Sequence, residues 1–425
     1  MKTIIRPERE MVVGNFCDPG LSRAHKAWMR SVFAILLTLF AGRSSAPAQS
    51  WTAANVPTNY WTWIASSADG RKLAASALND GVYLSSDSGA TWVRSSAPGD
   101  SWFIVASSAD GSKLVVHSTH FKTPPFGDPY GGLIYTSKDS GTNWTVTSAG
   151  DRAWSGIASS ADGSHIVALT FTNGIYASSD FGTNWILTSA PPYNWQCIAS
   201  SADGSKLFAG AVDIGAIYAS TNGGATWSKT GAPVAGWGEV ACSADGTRLI
   251  AAAYEGNVIV STNSGRSWQR TSTPTGSWGA LASSADGARL AAVATGGSIY
   301  TSADSGAHWS AAANTRNTYW HPIASSADGT KLVAGVAGIL QNTPGLIYTW
   351  QSVPTPVLSV KASATNTVLS WTCPSINFVL QQNSTLAMNG WADVPDSPVL
   401  DLTSLRYVIT LTRPSQVGFY RLKDR

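Results

Sequence analysis

The 425-residue chain is poor in charge, with 12% Asp, Glu, Lys and Arg and 28 bases against 25 acids for a formal +3. Bases scattered along so balanced a chain build no electropositive stripe, which excludes a nucleic-acid partner. Cysteine is scarce as well: Cys17, Cys197, Cys242 and Cys373. None falls in a C-x2-C pair, so no zinc site is expected, and no cofactor fingerprint or Ser-His-Asp order stands out. Cys197 and Cys242 sit in equivalent repeat strands at different offsets and read as buried small hydrophobes. The apolar run at residues 31–42 (SVFAILLTLFAG) has twelve residues, whereas a membrane span needs about twenty. With Arg30 before it and Ala46-Pro47-Ala48 after it, the run reads as a signal peptide over residues 1–48, cleaved before Gln49. Met29 gives a leader of ordinary length and is read as the start. The mature chain is then expected to be secreted, periplasmic or cell-surface, with no integral membrane segment and as a monomer.

What the chain has in plenty is Trp (19), Gly (40) and 44% hydrophobic residues, the composition of a β protein rich in turns. Ser-Ala-Asp-Gly occurs seven times, with its Asp at 69, 110, 162, 203, 245, 286 and 328. The spacings are 41, 52, 41, 42, 41 and 42, and a Trp stands eight residues before each Asp, from Trp61 to Trp320. A second signature, Ser-x-Asp/Asn-x-Gly-x-x-Trp, ends at Trp92, Trp144, Trp185, Trp227, Trp268 and Trp309. Each unit alternates four short apolar runs with turns. A period near 41 with four strands per unit predicts a seven-bladed β-propeller over residues 49–352. The second signature occurs six times for seven units, and Trp51 lies where the seventh box would place its Trp. Residues 51–56 are therefore expected to supply the missing fourth strand of the last blade and close the ring.

The box Ser85-Ser86-Asp87-Ser88-Gly89-Ala90-Thr91-Trp92 resembles the bacterial neuraminidase (BNR) or Asp-box repeat. That resemblance implies a propeller like those of sialidases, family 74 xyloglucanases, sortilin ectodomains and the photosystem II stability factor, which share a fold and differ in function. Physically the box is a turn: its Asp accepts backbone N–H bonds, its Gly allows positive φ and its Trp packs between blades. The sialidase pattern of an Arg-Ile-Pro segment and three substrate arginines is absent, since Arg71, Arg248 and Arg289 fall beside the Ser-Ala-Asp-Gly turns. Arg248 and Arg289 belong to a set of bases three residues after each turn Asp (Lys72, Lys113, His165, Lys206, Arg248, Arg289, Lys331), read as solvated positions or as a ring attractive to anions.

With both motifs on one face, function is expected on the other, where loops vary. The 52-residue unit carries the longest of these, residues 117–132 (HSTHFKTPPFGDPYGG), with His117, His120, Phe121, Phe126, Asp128 and Tyr130. Loops entering the first strands add Tyr193 and Tyr319, and strand starts add Trp63, Phe103, Gln196, Glu239 and His321. Aromatics beside amides and acids suit a glycan or protein ligand. Hydrolysis needs two acids about 5–10 Å apart, and Glu239 with Glu255, or with Asp213, is the best set on offer. After two prolines, Pro354 and Pro356, residues 353–425 alternate as strands. They predict a small β-sandwich, which resembles the fibronectin-III or immunoglobulin-like modules of secreted bacterial repeat proteins. The sequence thus reads as an exported, non-enzymatic propeller that binds a glycan or protein through its variable loops. The alternatives are a glycoside hydrolase and an assembly-factor-like scaffold. N-terminal sequencing of the exported protein is expected to begin at Gln49.

Overall fold

The computed structural model describes residues 2–6, 10–14, 51–99, 101–119, 131–171, 174–312, 315, 318–336, 344–351, 358–362, 366–372, 378–383, 391–401, 406–412 and 419–424. The leader's apolar run, Cys17 and Cys373 lie outside them. The chain is all-β, with seven four-stranded antiparallel blades followed by a two-sheet sandwich.

In blade 1 the strands are Trp61–Ser66, Leu73–Ala77, Val82–Ser85 and Val93–Arg94, in sequential order. Blades 2 to 6 begin at Trp102, Trp154, Trp195, Trp237 and Trp278 and repeat the pattern. Blade 7 takes its first three strands from Thr318–Ser325, Lys331–Val336 and Ile347–Gln351, and its fourth from Thr52–Ala53. Thr52 pairs with Thr349 and Ala53 with Tyr348, as the missing box predicts. Trp51 packs on Trp320 and Trp350, ring centroids 6.1 and 6.4 Å away. In the six boxes the Trp Nε1 donates to the carbonyl of its own box Gly at 3.0–3.1 Å. Trp51 follows no box, and its buried Nε1 is left without a partner.

Strands two read as unbroken apolar runs because both faces of a blade are covered by neighbouring blades. LAASA, LFAGA and LIAAA are buried at all five positions, and their small side chains let blades approach closely. The Trp opening each first strand is buried, and in six blades its ring meets a third-strand Tyr, for example Trp61 on Tyr83 at 5.3 Å and 81°. Edge-to-face contact of this kind adds about 0.5–1.5 kcal/mol to the burial itself. Blade 5 departs from the rule, with Ile259 at the Tyr position.

A ring of backbone hydrogen bonds joins the blades around the axis. The amide of Ala68 donates to the carbonyl of Ala109, Ala109 to Ala161, and so on through Ala202, Ala244, Ala285 and Ala327, which donates back to Ala68; all seven bonds are 2.6–2.8 Å long. These are the alanines of the seven Ser-Ala-Asp-Gly turns.

The C-terminal sandwich pairs one sheet, Ser359–Ala362, Asn366–Thr372, Arg406–Thr412 and Val399–Asp401, with a second built on Phe378–Asn383, Phe419–Asp424 and Ala392–Asp393. Lys2–Arg6 and Glu10–Gly14 extend the second sheet along Phe419–Asp424. Leu369, Trp371, Leu380, Ile409 and Leu422 fill the space between.

Deleting residues 51–57 strips the edge of Ile347–Gln351 and opens the ring. Thermal unfolding of the truncated chain is expected to show a loss of about 3 kcal/mol or more, roughly 6–12 °C for a domain of this size.

Candidate functional site

Both repeated turns lie on one face, where the Ser88 amide of a box donates to the Arg71 carbonyl beside a Ser-Ala-Asp-Gly turn at 2.8 Å. In that turn Ser67 Oγ donates to Asp69 Oδ1 (2.6 Å), which also accepts from the Arg71 amide (2.9 Å). In the box Asp87 accepts from the amide and hydroxyl of Thr91 (2.9 and 2.6 Å). The carboxylates of Asp139 and Asp304 are held down at about 2 by such bonds, the backbone donor first. These acids are structural turns.

The seven bases have a shared structural use. The stem of each lies under the turn Gly of the next blade, so that a Cβ on Gly70, Gly111, Gly163, Gly204, Gly246, Gly287 or Gly329 would come within 2.5–2.8 Å of it. Lys113 Nζ then donates to the Asp162 carbonyl (2.8 Å), Lys206 to Asp245 (2.7 Å) and Lys331 to Asp69 (3.0 Å) and Ser88 Oγ (3.1 Å). Charge is consumed in clamping blade to blade.

The C-terminal sandwich covers part of this face. Leu400 and Tyr407 pack on a cluster made of Ala68, Ala109 and Ala327, with Ala161 and Ala285 at its margin. Arg406 donates to Ser370 Oγ and Ser359 Oγ and feels the charge of Asp286. Burial pushes the blade 7 turn acid, Asp328, up to about 6. In Asp110, Asp203 and Asp245 burial acts the same way but is outweighed by turn hydrogen bonds, which hold them low.

The other face carries the variable loops. His117, expected in the long loop, is the fourth residue of Leu114–Ser118 and pairs with Ile104, because strand register continues past the point where the sequence turns polar. It is 3% exposed; its Nδ1 lies 3.0 Å from the Ser118 carbonyl and its Nε2 has no partner among the described residues. Burial lowers its pKa to about 4. His120, Phe121, Phe126, Asp128 and Tyr130 lie outside the described residues. His321 is held near 4 in the same way, burial outweighing a bond to the Thr62 backbone, and its ring meets Trp63 edge-on at 5.8 Å. Tyr319 pairs with Thr295 of blade 6, where blades 6 and 7 join in one sheet. Tyr193 packs on Trp195 and Tyr218 at 5.9 and 5.8 Å. Among the described residues no group of three His, Cys, Asp or Glu could hold a metal.

Glu239 stands apart. It lies on the innermost strand of blade 5, two residues after the blade Trp. The same position holds Trp63, Ile104, Gly156, Cys197, Ala280 and Pro322 in the other blades. Its carboxyl is pushed up to about 8, and burial alone is the cause. It affects two neighbours: its charge adds to the burial that raises the Cys197 thiol and to the burial that lifts Tyr254 to about 12. Tyr254, 45% exposed, lies over Gly238, where a Cβ would be 3.1 Å from the ring. Glu255 and Asp213 contribute nothing to the Glu239 shift, and Asp213 Oδ1 accepts from the Ile214 amide at 3.0 Å. Tyr254 carries no motif and escapes a sequence reading.

No family model and no curated protein matches the sequence. Solved structures do. YCF48 from Cyanidioschyzon merolae has a TM-score of 0.55 at 14% identity over 71% of this chain and 98% of its own. YCF48 bound to D1 peptide gives 0.54 and 14% over 73% and 98%. The GH74 enzyme of Niastella koreensis gives 0.54 and 13% over 82% of this chain and 60% of that one, so the chain spans about three fifths of its length. These similarities show a propeller fold.

Lys331 clamps the seam between blades 7 and 1. Lys331→Ala is expected to cost about 1–2 kcal/mol in denaturant unfolding, while Lys229→Ala, at an exposed position, changes stability by no more than about 0.5 kcal/mol.

Proposed function

We propose that the chain is an exported, non-enzymatic propeller that holds a polypeptide partner on its variable loop face. The observation that carries this reading is the inequality of the two faces. On the turn face the Asp residues hold turns, several of the bases bridge blades, and the chain's own sandwich covers part of the alanine ring. On the loop face the repeat breaks down: Trp63, Phe103, Gln196, Glu239 and His321 differ from blade to blade and keep partial exposure around the channel. Partly exposed aromatics with a few polar groups are the composition of a recognition surface. The peptide complex of a similarly folded protein supports a polypeptide over a glycan. The sandwich acts as a cover on the turn side, consistent with its resemblance to the accessory modules of secreted repeat proteins.

A hydrolase, favoured by the GH74 neighbours, needs two coupled carboxyls. A second acid within a few ångströms would add its charge to the Glu239 shift, and burial is its only cause. A polysaccharide panel scored for retention and reducing-end release, run beside affinity capture with wild type and Phe103→Asp, separates the readings. Capture of a polypeptide that Phe103→Asp loses, with no sugar released, is the expected result. Release abolished by Glu239→Gln or Glu255→Gln overturns it in favour of hydrolysis, and retention without release replaces the polypeptide with a glycan.

A further inference from the structure

We infer that the carboxyl of Glu239, with the Tyr254 ring beside it, anchors one cationic side chain of the partner, a lysine ammonium or an arginine guanidinium, inserted from the loop face. The inference rests on the polypeptide reading above and gives it a chemistry.

The repeat supplies its own control. At the Glu239 position the other six blades place no acid and no base, so propeller geometry does not ask for a carboxyl there. Partial withdrawal from water disfavours the ionised form of a carboxyl that lacks a partner. Among the described residues no hydrogen bond offsets this, and no lysine, arginine or histidine contributes charge to it. The loop-face imidazoles His117 and His321 are kept neutral at physiological pH by burial. The Cys197 thiol behind it stays protonated. The missing complement is a positive charge.

Tyr254 gives that charge a second contact. Its ring can lie over Gly238 because no Cβ intervenes, and the residue remains 45% exposed. An aromatic face next to a carboxylate suits an ammonium or guanidinium through cation–π attraction plus a charge-assisted hydrogen bond. A cation binds the ionised acid, so a neutral Glu239 must release its proton as the ligand enters. Affinity therefore rises with pH, up to tenfold per unit, until the acid is ionised near pH 8, and flattens above it.

The test uses the full chain with carboxyl-13C glutamate. The sequence holds four glutamates, Glu8, Glu10, Glu239 and Glu255, and the resonance absent from Glu239→Gln assigns the site. Titration is run alone, with n-butylammonium or ethylguanidinium, and with neutral N-butylacetamide at matched concentration. The expected result is a Glu239 midpoint lowered by at least one pH unit by either cation and unmoved by the amide. Glu239→Gln should lose cation binding with an undiminished melting temperature, and Tyr254→Leu should weaken it. A midpoint that the cations leave unmoved, or equal cation binding by Glu239→Gln, overturns the anchor. So does a polypeptide partner held equally by wild type and Glu239→Gln, which leaves loop-face binding standing. A cation-induced shift in a chain that captures no polypeptide supports the anchor and overturns the polypeptide reading.

Discussion

The ring of seven alanine-to-alanine hydrogen bonds sets the geometry of everything else. Each blade must present one N–H and one C=O at a spacing of 2.6–2.8 Å to its neighbours around a closed circle, which leaves no freedom in blade tilt or spacing near the axis. A small side chain is needed there because seven Cβ atoms converge on one axis. The Asp and Gly that follow are needed to reverse the chain immediately outside the ring, and the base three residues on reaches under the next Gly. The seam between blades 7 and 1 uses the two devices of the other six junctions, Ala327 to Ala68 and Lys331 beneath Gly70, and shares with the Lys113 and Lys206 junctions the Nζ bond to a turn Asp carbonyl, here Asp69. It adds the strand Thr52–Ala53, which binds the start of the ring to its end. Such closure removes the exposed edges that a row of open sheets would carry.

Much of this was legible because a repeat writes its constraints several times over. The period, the Trp eight residues before each Asp, and the six boxes for seven units identify the blades and even the strand that closes them. The alanine ring was not legible, since a backbone bond leaves no side-chain signature and Ala68 looks like any turn residue. The seven bases invited an electrostatic reading because charge is visible in sequence, whereas the atoms that matter at the Gly are their methylene stems. His117 was placed in a loop by its polar neighbours, and the ladder with Ile104 decides otherwise. The long loop beyond it lies outside the described residues, and its chemistry stays where composition leaves it.

Repetition also explains the inequality of the two faces. Turns that serve geometry must be copied in every blade, so the turn face carries a nearly identical surface seven times. Its center is then available for a dry, shape-based contact, and Leu400 and Tyr407 of the sandwich use it. Burial of Asp328 and its rise to about 6 mean that the neutral acid is favoured in the folded state; that contribution to stability is complete below the ordinary carboxylate range and disappears as pH rises through 6.

Departures from the repeat gather in blade 5. It lacks the third-strand Tyr and holds both Glu239 and the Tyr254 that overlies Gly238. Each change weakens that blade as a packing unit. In a closed ring the penalty is shared, because blades 4 and 6 still bond to blade 5 through Ala202, Ala244 and Ala285, and stability in repeat proteins is roughly a sum of unit and neighbour terms. Six regular blades thus supply enough closure for a seventh to carry groups that oppose its own folding. A part-exposed acid with no partner among the described residues is hard to explain as structure and easy to explain as chemistry waiting for a charge, and the redundancy of the ring is what makes its retention physically possible.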